Sequence, residues 1–377
     1  MRILKKQIQA SVVVLSAMAA GISLSACASQ PEQVGEAMPK TFKNTEIDYT
    51  TSFSNIIEVT KAFFADDRKH PAPAKEVPVR QISQQELDAS DDVLYRLGHS
   101  TILMKIDGEY VLTDPVFSDR ASPVQWMGPK RFHQPPLSIA QLPKIKAVII
   151  SHDHYDHLDK AAIQELDSKV EHFVTPLKVG DYLKDWGIAE EKITQLDWWQ
   201  DIEIGTIKLT ATPAQHFSGR GLFDRDHTLW ASWVVTGSQH NIFFSGDGGY
   251  FKGFKEIGDK LGPFDITLIE TGAYNKLWSE IHMLPEQSVQ AHKDLRGKHM
   301  LPIHNGTFDL ALHDWFEPLE VSFNLGVEQQ VSVLTPEFGE QIQLQQPATT
   351  AAWWRPMIGN EVESEIGTSF EQTVAEN

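Results

Sequence analysis

Apolar residues in the middle of the chain fall into short runs, and most of these runs end in clusters of glycine, histidine or carboxylate. Asp92-Val93-Leu94-Tyr95-Arg96-Leu97 opens the series, and residues 101–106 and 110–113 flank Asp107-Gly108 in the pattern of a β-hairpin. Further strands are expected at Ala147-Val148-Ile149-Ile150, at 207–212, 241–245 and 299–303, and late in the chain at 331–334 and 341–344. Between them, helical patterns occupy 178–186 and 285–295. Strands alternating with helices in two halves suggest an α/β chain with helices outside two sheets, an αββα sandwich. Residues 91–345 make one catalytic domain, large enough to bury its own core.

The flanks have a different composition. Residues 27–90 are rich in Pro, Ala, Lys and Glu, with Pro71-Ala72-Pro73 as a semi-rigid piece, and read as a tether carrying a short helix at 55–64. This tether is expected to pack on the domain at most through its phenylalanines. Residues 346–377 read as a tail in which Trp353 and Trp354 are available to dock. At the other end, Arg2, Lys5 and Lys6 precede a mostly apolar stretch that closes in Leu24-Ser25-Ala26-Cys27. A basic start, a short hydrophobic core and small residues describe an export signal over residues 1–26 rather than a spanning helix. The Leu-Ser-Ala-Cys end looks like a bacterial lipobox, which makes Cys27 the expected lipid-bearing residue and places the protein in the cell envelope. Ala28 is compatible with sorting to the outer membrane, facing the periplasm. An ordinary signal with an incidental cysteine is the alternative. Cys27 is the only cysteine, so no disulfide can form within the chain and no thiolate can serve as nucleophile.

Charge narrows the partners. The formal net charge is −18, and loss of three cationic residues with the signal takes it to −21. Nucleic-acid binding relies on Lys and Arg neutralising phosphates, so the balance argues against a nuclease.

The chemistry is concentrated in Ser151-His152-Asp153-His154-Tyr155-Asp156-His157, directly after an apolar strand. His152 and His154 are two apart, so an extended backbone points them to one side. Asp156 and His157 follow at a turn and face a displaced point, an arrangement that suits two adjacent cations. Imidazole nitrogen and carboxylate oxygen are donors that zinc prefers, and they also suit manganese or iron(II). Other strand ends offer His216, Asp247 within Gly246-Asp247-Gly248-Gly249, and His304 before Asn305-Gly306. A polar loop with several histidines by chance is the bland alternative, and four such junctions weigh against it.

With these residues the chain resembles the metallo-β-lactamase superfamily, whose HxHxDH motif is followed by a distant His, an Asp and a final His. The resemblance implies that His152, His154 and His216 hold one metal, that Asp156, His157 and His304 hold a second, and that Asp247 bridges them. Leu112-Thr113-Asp114-Pro115, Met127-Gly128-Pro129-Lys130-Arg131-Phe132, Leu196-Asp197-Trp198-Trp199, Gly262-Pro263-Phe264-Asp265 and Ile303-His304-Asn305-Gly306-Thr307-Phe308 look more narrowly like the N-acylphosphatidylethanolamine-hydrolysing phospholipase D branch. The likeness covers about residues 90–340. Gly248 stands where that branch usually has Thr, and Asn305 where the mammalian enzymes have Trp, which leaves substrate preference open.

Two zinc ions would lower the pKa of a shared water and make hydroxide at neutral pH for attack on a phosphodiester. Asp247, Asp156 and His282 are the candidate catalytic residues, and His282 matches an active-site histidine of the phospholipase branch. Asp114 is a candidate to orient a ligand imidazole, with an Asp-Pro turn as its plain alternative. His99 lies where the superfamily often has a site-facing residue. Lys130 and Arg131 are candidates to pair with phosphate, Trp126 and Phe132 to meet acyl chains, and Phe217 to belong to a substrate loop. The expected activity is phosphodiester cleavage of an N-acylphosphatidylethanolamine-like lipid. The alternatives are a hydrolase of lactones or β-lactams with the same nucleophile, or a non-enzymatic envelope lipoprotein. Oligomeric state is not legible.

Overall fold

Among the described residues, branched and aromatic side chains pair along fourteen strands arranged in two sheets. The computed structural model describes residues 39–49, 53–66, 68–89, 91–348 and 351–358, so the export signal and Cys27 lie outside the described residues. Helices α1 (Phe53–Phe64) and α2 (Gln84–Ala89) lead into β1 (Val93–Arg96), β2 (Ile102–Ile106), β3 (Glu109–Thr113) and β4 (Ile145–Ile149). Then come α3 (Lys160–Leu166), β5 (Val170–Pro176), α4 (Val179–Asp185) and β6 (Ile193–Leu196). The second half runs β7 (Asp201–Ile204), β8 (Ile207–Thr212), β9 (Ser232–Thr236), β10 (Asn241–Phe244), α5 (Gly253–Leu261) and β11 (Phe264–Glu270). It continues through α6 (Pro285–Asp294), β12 (Gly297–Ile303), α7 (Glu317–Gln329) and β13 (Ser332–Val333). β14 (Gln341–Gln343) returns to the first sheet, and α8 (Arg355–Ile358) closes the described chain.

The two seven-stranded sheets have orders β14-β1-β2-β3-β4-β5-β6 and β13-β12-β11-β10-β9-β8-β7. Each is antiparallel on one side and parallel on the other, with β3 to β6 and β10 to β13 parallel. Strands covered on both faces are buried at nearly every position, and β4 and β11 are buried throughout except at Lys146 and Asp265. Between the sheets, Met104, Ile149, Trp233, Phe244, Leu268 and Ile303 belong to one core. On the outer faces, Ile163 and Leu183 from α3 and α4 pack on the first sheet, and Ile257, Val289 and Leu325 from α5, α6 and α7 pack with the second. The expected αββα sandwich is the architecture observed.

The stretch expected to be a loose tether is different where it is described. Val77, Ile82 and Leu87 are buried, Arg80 N–H donates to the Phe338 carbonyl, and Arg68 pairs with Asp309 at 2.7 Å. Composition suggested a linker, but widely spaced apolar residues join the clusters on the first sheet and beside Trp315 and Phe338, and Arg68 forms a largely buried ion pair. Phe63 does stack on Trp278, and so α1 packs as expected of its aromatics. At the C-terminal end Trp354 is buried and donates its Nε1–H to Glu320, so this part of the tail is docked. No helix among the described residues is long and apolar enough to cross a membrane.

Candidate metal centre

The chain is apolar from Ala147 in β4 to Ile150 and then needs a sharp loop to enter α3, whose first amides are capped by the Asp159 carboxylate. Leu158 N–H and His157 N–H both donate to the His154 carbonyl, which curls His152, His154, Asp156 and His157 around one hollow. Asp153 points elsewhere and accepts from Gly219 N–H and Thr228 Oγ1–H, pinning the loop after β8 onto the motif. That loop carries His216. The loop after β10 carries Asp247, and Gly246 before it has φ +58, where an added Cβ would lie 2.5 Å from Ser151 Cβ. β12 delivers His304, itself at φ +63, a strained conformation for a residue with a side chain.

Two groups of donor atoms meet there. His152, His154 and His216 have ligand atoms within 4.8 Å of one another. His154 Nδ1 is 2.9 Å from His152 Nε2 and 3.3 Å from His216 Nε2. The remaining nitrogens of the outer two rings are committed: His216 Nδ1–H donates to the Ile281 carbonyl, and His152 Nδ1–H to Ser151 Oγ. Their Nε2 lone pairs are therefore left for the hollow. In the second group, Asp156 Oδ2 lies 3.2 Å from His304 Nε2 and 3.6 Å from His157 Nε2. Asp247 stands between the groups, with Oδ1 3.1 Å from His157 Nε2 and Oδ2 3.0 Å from His304 Nε2, 3.9 Å from His152 and 4.0 Å from His216.

The surroundings treat the two groups differently. Burial, reinforced by neighbouring imidazoles, pushes His152 and His216 well below the usual histidine range, and burial takes His154 to about 4. Burial would also depress His157 and His304, but the carboxylates around them prevail and raise His157 well above its ordinary value and His304 to about 9. Asp247 and Asp156 are held well below the carboxylate range, their burial overcome by His157 and, for both, by hydrogen bonds from His304. The set fits metal ions: His157 Nε2 and Asp247 Oδ1 are buried, face each other and make no hydrogen bond, an arrangement costly unless a cation joins them.

Asp114, fully buried at φ +32, receives His157 Nδ1–H at 2.6 Å and both the amide and hydroxyl of Ser151. It thus stands where a carboxylate orients a ligand imidazole. His99 is closer in than a purely supporting residue, with Nε2 3.3 Å from Asp156 and its ring 3.9 Å from that of His304. His282 adjoins both groups, its ring 5.2 Å from His216 and 5.6 Å from His304. Phe217 is edge-on to His154 at 4.6 Å and lines the hollow. The two candidate phosphate-binding cations are not brought together. Lys130 is exposed, whereas Arg131 is turned inward, donating to the Val116 and Ser118 carbonyls and packing on Phe308. Its charge satisfies loop carbonyls, so we correct the expectation that Arg131 is presented to phosphate.

Two neighbours escaped the sequence reading. Glu270, at the end of β11 and fully buried, contacts His282 Nδ1 and accepts Gly248 N–H at 2.7 Å. The available signal was an apolar strand ending in a carboxylate before Thr271-Gly272, the same pattern that singled out Asp247. Asn44 donates to the His216 carbonyl at 2.8 Å and accepts its N–H at 3.0 Å. No local pattern marks that role, because its partners are backbone atoms far along the chain.

Residues 109–305 match the beta-lactamase superfamily domain. The chain is similar to N-acyl-phosphatidylethanolamine-hydrolyzing phospholipase D 1 of Caenorhabditis elegans, 36% identical over 254 residues spanning 64% of this chain and 71% of the worm protein. A stretch of 94 residues is 50% identical to outer membrane protein RomA of Klebsiella pneumoniae, covering 25% of this chain and 70% of that protein. Among solved structures, isothiocyanate hydrolase from Delia radicum gut bacteria superposes with a TM-score of 0.54 at 20% identity, over 67% of this chain and 98% of that one, a likeness of fold.

Proposed function

The chain belongs to the beta-lactamase superfamily and is a metal-dependent hydrolase of the metallo-β-lactamase fold; from that premise we propose that it cleaves a phosphodiester, in an N-acylphosphatidylethanolamine-like lipid, with two zinc ions. The observation that carries the reading is Asp247 reaching both donor groups, three imidazoles on one side and Asp156, His157 and His304 on the other. His152, His154 and His216 would hold the first ion, Asp156, His157 and His304 the second, and Asp247 both. Bound there, such a pair supplies Lewis acidity and a hydroxide nucleophile at neutral pH.

The protein's own residues do the remaining work. Asp114 accepts from His157 Nδ1–H and so keeps Nε2 turned inward. The loop after β8, tied down through Asp153, fixes Phe217 against His154, where its ring excludes water and offers an apolar surface to a lipid. His282 is the group placed to exchange a proton with the leaving oxygen. The substrate class is supported by the worm relative, which is named for hydrolysing N-acylphosphatidylethanolamine, and by five sequence strings that resemble that branch. Attachment to the envelope through a lipid on Cys27 is supported by the N-terminal sequence and by the outer membrane name of the Klebsiella relative. An enzyme held at a membrane would share a surface with its substrate.

Zinc-loaded protein incubated with N-acylphosphatidylethanolamine is expected to release an N-acylethanolamine and a phosphatidic acid. Turnover of acyl-homoserine lactones or nitrocefin alone would replace the phosphodiester with a carbonyl substrate. Silence toward all three with metal bound would overturn the reading.

A further inference from the structure

Glu270 presents a problem that the proposed metal centre does not absorb. A buried carboxylate is costly, and this one is assigned to neither proposed ion, yet both of its oxygens and both of its main-chain polar groups have partners. Oε2 accepts Gly248 N–H at 2.7 Å, one residue beyond Asp247. Oε1 contacts His282 Nδ1 and lies 3.8 Å from His304 Nδ1. Its main chain is fixed as well: the amide donates to Ser245 Oγ at 2.9 Å and the carbonyl accepts from Ser288 Oγ at 2.8 Å. One side chain thus links the loop carrying Asp247 to the ring of His282.

We propose that Glu270 is a positioning residue that holds His282 as the Nδ1–H tautomer, so that Nε2 is the nitrogen that exchanges a proton with the substrate, in register with Asp247. The proposal rests on the phosphodiesterase reading for the role of His282, whereas control of the tautomer by Glu270 stands apart from any substrate. In the step concerned, the oxygen of water bonds to phosphorus and the bond from phosphorus to the leaving oxygen breaks. The proton lost by water reaches the leaving oxygen by way of Nε2. Nδ1 keeps its own proton throughout, and Glu270 remains the acceptor.

Carboxylate chemistry is specific here. Both oxygens of a carboxylate accept, whereas a glutamine amide accepts on one side and donates on the other. In Glu270→Gln, either Gly248 N–H meets an NH₂ group or His282 Nδ1 has to become an acceptor, which moves the ring proton to Nε2. The full-length, zinc-loaded protein labelled with ¹⁵N-histidine tests this, with the His282 signals identified by their loss in His282→Gln. Wild type is expected to show a protonated Nδ1 and an unprotonated Nε2. Glu270→Gln is expected to lose that pattern while its zinc content is unchanged. An unaltered Nδ1–H tautomer in Glu270→Gln, or Nε2–H in the wild type, overturns the proposal.

Turnover supplies a second readout that a merely structural residue would not produce. On a phosphodiester with an alkoxide leaving group, Glu270→Gln and His282→Gln should each lose about 100-fold in kcat, with the double variant losing no more. On a p-nitrophenyl ester, whose leaving group needs no proton, both should remain within about 3-fold. Equal losses on the two esters overturn the proposal. Glu270→Asp keeps two acceptors and should keep the tautomer, and it decides the matter if the glutamine variant does not fold: loss of Nδ1–H with wild-type kcat on the alkoxide ester would break the link. Should no phosphodiester be hydrolysed while Glu270→Gln still switches the tautomer, the substrate reading fails and Glu270's control of His282 stands.

Discussion

The two halves of the centre are built from similar donors but held by opposite means. His152 and His216 lean on a hydroxyl and a backbone carbonyl, and His154 packs against Phe217, so burial leaves these imidazoles neutral with lone pairs ready. His157 and His304 are surrounded by Asp114, Asp156, Asp247 and Glu270, and these carboxylates keep protons on them. The first half therefore competes with protons hardly at all. A cation entering the second half has to displace them, but gains carboxylate charge in exchange. The difference teaches that the halves should fill and empty separately, and that each depends on its own supports.

The largest effect should come from the residue common to both. Asp247→Ala is expected to lose about 100-fold or more in turnover and to bind fewer than two zinc ions, read by steady-state rates with metal analysis. A near-normal rate with two ions would remove Asp247 from its proposed role. Acid should then separate the halves. His304 titrates at about 9 without a cation and His154 at about 4, so protons claim the second half first as pH falls. Equilibrium dialysis at fixed free zinc should pass from two ions toward one between neutral and mildly acidic pH; a simultaneous loss of both would contradict the contrast.

Supports on each side give smaller effects. Asp114→Asn should weaken zinc in the second half by about 10–100-fold and the first half less, because Asp114 meets His157 directly but reaches His152 only through the Ser151 hydroxyl, measured by competition with a chelator. Asn44→Ala removes the pair of hydrogen bonds to the His216 backbone and one to Trp230 Nε1–H. It should cost about 1–3 kcal/mol of stability, read by denaturant unfolding, and weaken only the first half. Equal weakening of both halves by either variant would mean that they are not independently supported.

The sequence exposed most of the sandwich because buried strands need apolar runs and the runs end where loops begin. β8 was legible to the residue, whereas β13 shrank to Ser332–Val333 at a sheet edge, where only one neighbour fixes it. Candidate donors were visible where polarity interrupts an apolar run, as at His152, Asp247 and His304, and the fold gathers these into one hollow. Glu270 was hidden because a carboxylate before Thr-Gly also reads as a turn. Asn44 and the docking of residues 39–49 were hidden for a different reason: their partners, the His216 main chain and the Trp230 and Gln215 side chains, lie more than a hundred positions away, and no local pattern encodes them. Arg131 misled, since a cation next to Lys130 in a segment of turn residues suggested a phosphate contact and the guanidinium instead ties carbonyls from within.

Crystals of the zinc-loaded protein, measured on either side of the zinc absorption edge, test the two-cation centre most directly. Two anomalous peaks flanking Asp247 are expected, one among His152, His154 and His216 and the other among Asp156, His157 and His304. A single peak, or none with zinc in excess, would contradict it.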